Sequence, residues 1–202
     1  RDLVVGYDFR FGNQRVGDAA FLKSQASAGA YSLNVVEAIA SADSEVYSST
    51  HIRELLIAGK PGHAAAMLGR PFEIEGRVQH GDERGRQLGF PTANIELDGY
   101  LNPAFGVYAI RAGLETDTGS FEWFDGVANF GNRPTVDGAR ILLESHLFDF
   151  DGDLYGKNLR IALIEFLRPE IKFDGLDMLK AQIGMDSASA RRMLRVRAAG
   201  AP

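Results

Sequence analysis

After Pro71 the apolar residues stop recurring at helical spacing and begin to alternate, and this change of period constrains the fold more than any other feature of the chain. Phe72, Ile74 and Val78 alternate with Glu73, Glu75 and Arg77. Further strand-like runs lie at residues 106–112, 121–130, 140–150 and 159–168, each bounded by Gly, Asp, Asn or Pro turn signals. Five or six strands at that spacing, with few helices between them, predict a closed antiparallel barrel. The end of the chain returns to helical period. Leu176, Leu179 and Ile183 share one face, and Asp186 is placed to cap a last helix through Ala190 and Leu194.

Before Pro71 the reading is different. Leu3, Val4 and Val5 form a short apolar run ending at Gly6, as a buried parallel strand would, and GYDFRFG follows at residues 6–12. Gly17 and Asp18 mark a turn and an N-cap for a helix carrying Phe21, Leu22 and Ala26, with a second strand at residues 31–36. Strand, helix, strand is an α/β pattern. In SSTHIRELLIAG, residues 48–59, Ser49 or Thr50 can cap a helix that buries Ile52, Leu55 and Leu56 and stops at Gly59. Its hydroxyls and Arg53 suit a phosphate, and an ordinary capped helix explains them equally well. Pro61 starts another helix through Leu68, closed by Gly69. The expected domains are therefore residues 1–70 and 71–202, α+β overall: an α/β segment, then an antiparallel barrel of five or six strands with C-terminal helices.

Charge and composition exclude several classes. Twenty-seven acids against 22 Lys and Arg leave −5, so any anion site must be local and a nucleic-acid partner is disfavoured. No apolar run is long enough to span a membrane. With no Cys, disulfides, thiolate metal sites and a Cys nucleophile are excluded, and a reducing, cytoplasmic location fits. The four His, at 51, 63, 80 and 146, lack the close spacing of a zinc site. The chain opens at Arg1 directly on strand-like sequence, which reads as a fragment of something longer.

The chemistry concentrates around GRQLGFPTAN, residues 85–94, approached through residues 80–86. Gly85, Gly89 and Pro91 are expected to bend the backbone so that N–H groups beside Arg84 and Arg86 form a cradle for a phosphate. Thr92 and Asn94, two apart in an extended segment, present a hydroxyl and an amide oxygen to one side, a set suited to Mg²⁺. A polar turn leading into a strand accounts for the same residues. Glu144 lies in the apolar run ILLESHLF on the face shared with Leu142 and His146. It is either a proton acceptor facing a ligand or a rim carboxylate, and His146 reads as structural. GVANFGNRPTV, residues 126–136, reads as a long turn that either closes over a ligand or simply connects strands.

Taken together, GRQLGFPTAN, NPAFGVYAI (102–110), GVANFGNRPTV, LESHLFDF (143–150), DLYGKNLRI (153–161) and FLRPEIKF (166–173) resemble, in the same order, the riboflavin kinase module of bacterial bifunctional riboflavin kinase/FMN adenylyltransferases, the FAD synthetases. GYDFRFG and SSTHIRELL, with LGRP from Leu68, resemble the second half of their adenylyltransferase module. The resemblance covers essentially the whole chain, and PTAN is its most specific element. It implies ATP-dependent phosphorylation of the riboflavin 5′-hydroxyl to FMN, with release of ADP, on a six-stranded antiparallel barrel preceded by a partial, nucleotidyltransferase-like α/β segment. Thr92 and Asn94 would hold Mg²⁺ and the ATP phosphates, residues 81–89 would embrace the nucleotide, and Glu144 would be the base. Asn129, Asn132 and Arg133 would form a flap. Arg168 and Phe173 are candidates for flavin contact. Asp8, Arg10, Ser48, Ser49, Thr50 and Arg53 would be the remains of the adenylyltransferase motifs. The family's HxGH-type nucleotide motif has no counterpart here, and Tyr7 stands where many members of the family carry an acidic or other polar residue. The expectation is kinase activity without adenylyltransferase activity in this chain, FAD formation in the intact protein, and self-association through the partial first domain. A flavin-binding barrel without catalysis is the alternative.

Overall fold

The computed structural model describes residues 1–29, 31–40, 46–79, 85, 89–97, 99–116, 118–135 and 138–199. By compactness the chain divides into two units, Arg1–Ser48 and Ser49–Pro202.

In the first unit β1 (Asp2–Gly6) pairs in parallel with β4 (Ser32–Val36). Between them run the short antiparallel pair β2 (Arg10–Phe11) and β3 (Gly17–Asp18) and the helix α1 (Ala19–Ala26). Asp18 caps α1 as its sequence position suggests, its carboxylate accepting from the Phe21 N–H at 2.8 Å. The strand, helix, strand order expected for this part is present.

The second unit begins with α2 (Ser49–Ile57) and α3 (Pro61–Leu68). Pro61 sits in the first turn of α3 and Gly69 ends it in the left-handed conformation, as expected. The division at Ser48 differs from the expected boundary after Arg70, because α2 and α3 pack with the sheet that follows. Leu56 is buried, and its carbonyl accepts from the Ala104 N–H at 3.0 Å. A change of period marks where the architecture changes; compactness depends on where apolar faces are covered.

Six strands form one antiparallel sheet: β5 (Phe72–Arg77), β6 (Ala93–Glu96), β7 (Gly106–Glu115), β8 (Phe121–Thr135), β9 (Gly138–Leu147) and β10 (Asn158–Pro169), in the order β5-β10-β7-β8-β9-β6. The sheet curls until its edges meet, where the Gln79 N–H donates to the Asn94 carbonyl at 2.9 Å. Ile74, Ile95, Tyr108, Ile110, Phe130, Leu143 and Ile161 fill the interior. Burial pushes the Tyr108 phenol up from its ordinary pKa.

Two expectations fail here. Residues 126–135 are not a turn but the second half of β8, paired with β9 as far as Thr135 opposite Gly138. Beyond Phe130 and Leu142 the two strands leave the barrel as a two-stranded arm, and there the missing N–H of Pro134 is tolerated. Nor are there two C-terminal helices: α4 runs unbroken from Leu176 to Ala199. Asp186 is not a cap within it. Its carboxylate is buried and held by Arg168, so a tertiary partner keeps it inside the helix. Ala190 and Leu194 of α4 cover Val107, Ala109, Val127, Phe148, Ala162 and Ile164 on the outside of the barrel.

Candidate functional site

One transverse row of the sheet brings the candidate residues together. Asn94 on β6 pairs with Glu144 on β9, Glu144 with Asn129 on β8, Asn129 with Val107 on β7, and Val107 with Arg168 on β10. Residues directly opposite one another project to the same face. Val107 belongs to the cluster beneath α4, and the alternate residues Ile95, Leu143 and Phe130 belong to the interior. The row therefore lies on the outer face of the barrel, beside the ground covered by α4.

Asn94 is 8% exposed, and its Oδ1 has no hydrogen-bond partner among the described residues. A buried acceptor left unmatched is costly unless a ligand completes it. Thr92 stands immediately before β6 and is half-buried. A Cβ on Gly85 would run into the Phe90 carbonyl and sit 3.3 Å from Thr92 Oγ1, so only glycine fits at position 85. Gly89 has φ 86°, a conformation that favours glycine. The Phe90 N–H donates to the Gly85 carbonyl at 2.8 Å. Of the expected cradle, Gly81, Arg84 and Arg86 lie outside the described residues.

Glu144 accepts from Arg133 Nε at 3.1 Å and from Arg133 Nη2, with side-chain exposures of 28% for Glu144 and 42% for Arg133. Arg133 thus sits on the carboxylate from the base of the β8–β9 arm. Asn132 is exposed on that arm opposite Ile141. Asn129, placed by sequence in a flap, is in the barrel wall and donates from Nδ2 to Glu170 Oε1 at 3.1 Å.

Arg168 closes the row by locking α4 to β10. Its Nε meets both Asp186 oxygens at 3.0 and 3.1 Å, Nη2 meets Oδ2 at 2.7 Å, and Nη1 donates to the Pro169 carbonyl at 2.9 Å. Each guanidinium nitrogen is engaged. The Phe173 ring lies 6.0 Å from that guanidinium. A cleft of about 310 Å³ adjoins it, walled by Phe166, Leu167, Gln182, Met185 and Met193.

Sequence reading missed the contact made by His146, two residues beyond Glu144 on β9, whose Nδ1 lies 2.9 Å from the Pro91 carbonyl. Parity along ILLESHLF puts both side chains on one face, the signal by which it was findable. Near it, the hydrogen bonds of Arg191 hold the Asp149 carboxyl below the usual carboxylate range.

The residues associated with the first module do not assemble in one unit. Asp8 is exposed and Arg10 pairs with Asp18 at 3.3 Å, both in the first unit with Ser48. Ser49 and Thr50 lie in the first turn of α2 rather than at its cap, and Arg53 Nη1 donates to Ser49 Oγ at 3.1 Å.

A metal would find oxygen donors here. No cluster of three or more His, Cys, Asp or Glu suited to a metal occurs among the described residues. The amide oxygen of Asn94, without a partner among the described residues, and the Thr92 hydroxyl two residues before it are a donor set that fits a hard cation keeping most of its ligands as water and phosphate, which describes Mg²⁺.

The family model described as Flavokinase: Riboflavin kinase matches residues 68–194. The bifunctional riboflavin kinase/FMN adenylyltransferase of Haemophilus influenzae is 43% identical over 191 residues, covering 94% of this chain and 60% of the relative. That of Escherichia coli K12 is 44% identical, with 94% and 59% covered. The chain thus spans about three fifths of the length of the curated relatives it matches. Among solved structures, a Streptococcus pneumoniae protein described as a macrolide-efflux protein superimposes with a TM-score of 0.74 at 31% identity, over 92% of this chain and 58% of its own. The family match covers the six-stranded barrel and the row of site residues on it, and so the chain belongs to the riboflavin kinase family.

Proposed function

We propose that this chain transfers the γ-phosphoryl group of ATP to the 5′-hydroxyl of riboflavin, giving FMN and ADP. The observation that carries the reading is the pairing of Asn94 with Glu144 on adjacent strands, an unmatched oxygen next to a carboxylate on one face. The ribityl oxygen attacks the γ-phosphorus in line while the bond from that phosphorus to the bridging oxygen breaks. ADP leaves with the bonding pair, and the hydroxyl proton passes to the Glu144 carboxylate. Alignment and charge neutralisation do most of the work in such a transfer, so a small constellation suffices.

Thr92 and Asn94 would hold Mg²⁺, which supplies charge neutralisation for the ATP phosphates. The approach loop, including Gly81, Gly85, Arg86 and Gly89, embraces the nucleotide. Arg133 orients Glu144 and, once substrate takes the carboxylate, would supply positive charge to the transferring phosphoryl group. The cleft beside Arg168 sets Phe166, Leu167, Met185 and Met193 among polar side chains, including Gln182, Ser189 and Arg192, and would take a flavin ring there, with Arg168 as framework rather than a free donor and Phe173 as a further candidate contact. In the intact protein FMN is adenylylated to FAD, the second activity in the names of the relatives. Both reactions belong in the cytoplasm, where ATP is available; among the described residues no helix is long and apolar enough to cross a membrane.

Thr92→Ala tests the metal assignment. Loss of one oxygen donor should raise the Mg²⁺ concentration needed for half-maximal FMN formation by at least about 10-fold, leaving riboflavin affinity unchanged. An unaltered Mg²⁺ titration would remove Thr92 from the site.

A further inference from the structure

We propose that His146 is a positioning residue for this reaction: its Nδ1–H fixes the Pro91 carbonyl and so sets where Thr92 presents its hydroxyl. The inference rests on the kinase reading for its purpose, but the contact stands on geometry alone. A proline has φ locked by its ring, so ψ is the only soft backbone dihedral left at Pro91. Whatever holds the Pro91 carbonyl sets that angle. His146 Nδ1 lies 2.9 Å from it. A carbonyl only accepts, so Nδ1 carries the proton. On the other side of Thr92, Ala93 is already paired with Ser145 of β9. Thr92 is therefore suspended between two points on the strand that carries Glu144.

The imidazole is itself held on two sides. The Phe90 ring meets it edge-on at 5.4 Å and 83°, and the Phe148 ring at 5.8 Å and 73°. Phe148 is buried beneath the Arg191 guanidinium, 4.2 Å from the ring centre. Arg191 on α4 grips both Asp149 oxygens, at 2.7 and 2.9 Å. A continuous line of contacts thus runs from α4 through Arg191, Phe148 and His146 to Pro91. Because Glu144 and His146 alternate on one strand, the base and the clamp on the metal-side hydroxyl move as one rigid piece.

The test uses the whole chain, with His146→Phe, which keeps an aromatic ring and loses the donor, and His146→Asn, whose amide nitrogen falls near the place of Nδ1. His146→Phe should weaken binding of MgADP, read by calorimetry, and lower kcat/KM for MgATP by about 5- to 10-fold, with the KM for riboflavin unmoved. His146→Asn should recover most of that loss. Independently, long-range ¹⁵N–¹H correlation of the wild-type imidazole at alkaline pH should show the proton on Nδ1. A proton on Nε2, or MgADP affinity unchanged in a folded His146→Phe, overturns the proposal. Should His146→Phe fail to fold, the tautomer and the Asn variant decide. If the wild-type chain makes no FMN, the kinase reading falls, while the tautomer and MgADP binding still report on the clamp.

Discussion

Glu144→Gln is expected to lower kcat for FMN formation by about 10²- to 10⁴-fold, the usual contribution of a positioned general base, while riboflavin and MgADP still bind. The amide keeps the size of the carboxylate and an oxygen for Arg133 but cannot take the ribityl proton. Stability offers no competing explanation, because the Arg133 pair is partly exposed and such pairs contribute about 0–1 kcal/mol. Steady-state rates with fluorescence-monitored riboflavin binding make the comparison. Full turnover in the variant would show that the Glu144 carboxylate is a rim residue, and a flavin-binding barrel without catalysis would be equally indifferent to the change.

The second large effect is structural. Asp186→Ala should cost about 3–5 kcal/mol, because it leaves the Arg168 guanidinium without its partner in a poorly exposed place. Replacing both residues, Arg168→Met with Asp186→Leu, should recover most of the loss, since removing a buried pair whole is far cheaper than breaking it. Denaturant unfolding reads both. A cost below about 1 kcal/mol for Asp186→Ala would place the pair among ordinary surface bridges. The pair ends the row that contains Glu144, so α4 and the outer face of the barrel should loosen together.

Much of this fold was legible from alternation. Strands expected at residues 106–112, 121–130, 140–150 and 159–168 are present as β7 to β10, because a barrel wall must send every second side chain inward. The errors share a cause. Gly, Asn and Pro at residues 126–135 carry turn chemistry, yet β9 satisfies their backbone groups and makes them a strand. Asp186 has the look of a helix cap, yet Arg168, distant in sequence, keeps it inside a helix. Local propensity cannot register a partner that only the fold delivers.

The site was legible in part for the same reason. Residue type and parity single out Thr92, Asn94 and Glu144 as candidates, and the register places Asn94 directly against Glu144. That Arg133 covers Glu144, that Arg168 is spent on Asp186, and that His146 holds Pro91 all depend on distances across the sheet. Strand parity indicates which side chains share a face. It does not say which of them touch.

The most direct measurement is product analysis of the wild-type chain incubated with riboflavin and ATP, with and without Mg²⁺. The account predicts FMN and ADP in equal amounts, formed only when all three components are present. Riboflavin bound tightly but recovered unphosphorylated, with ATP intact, would contradict it.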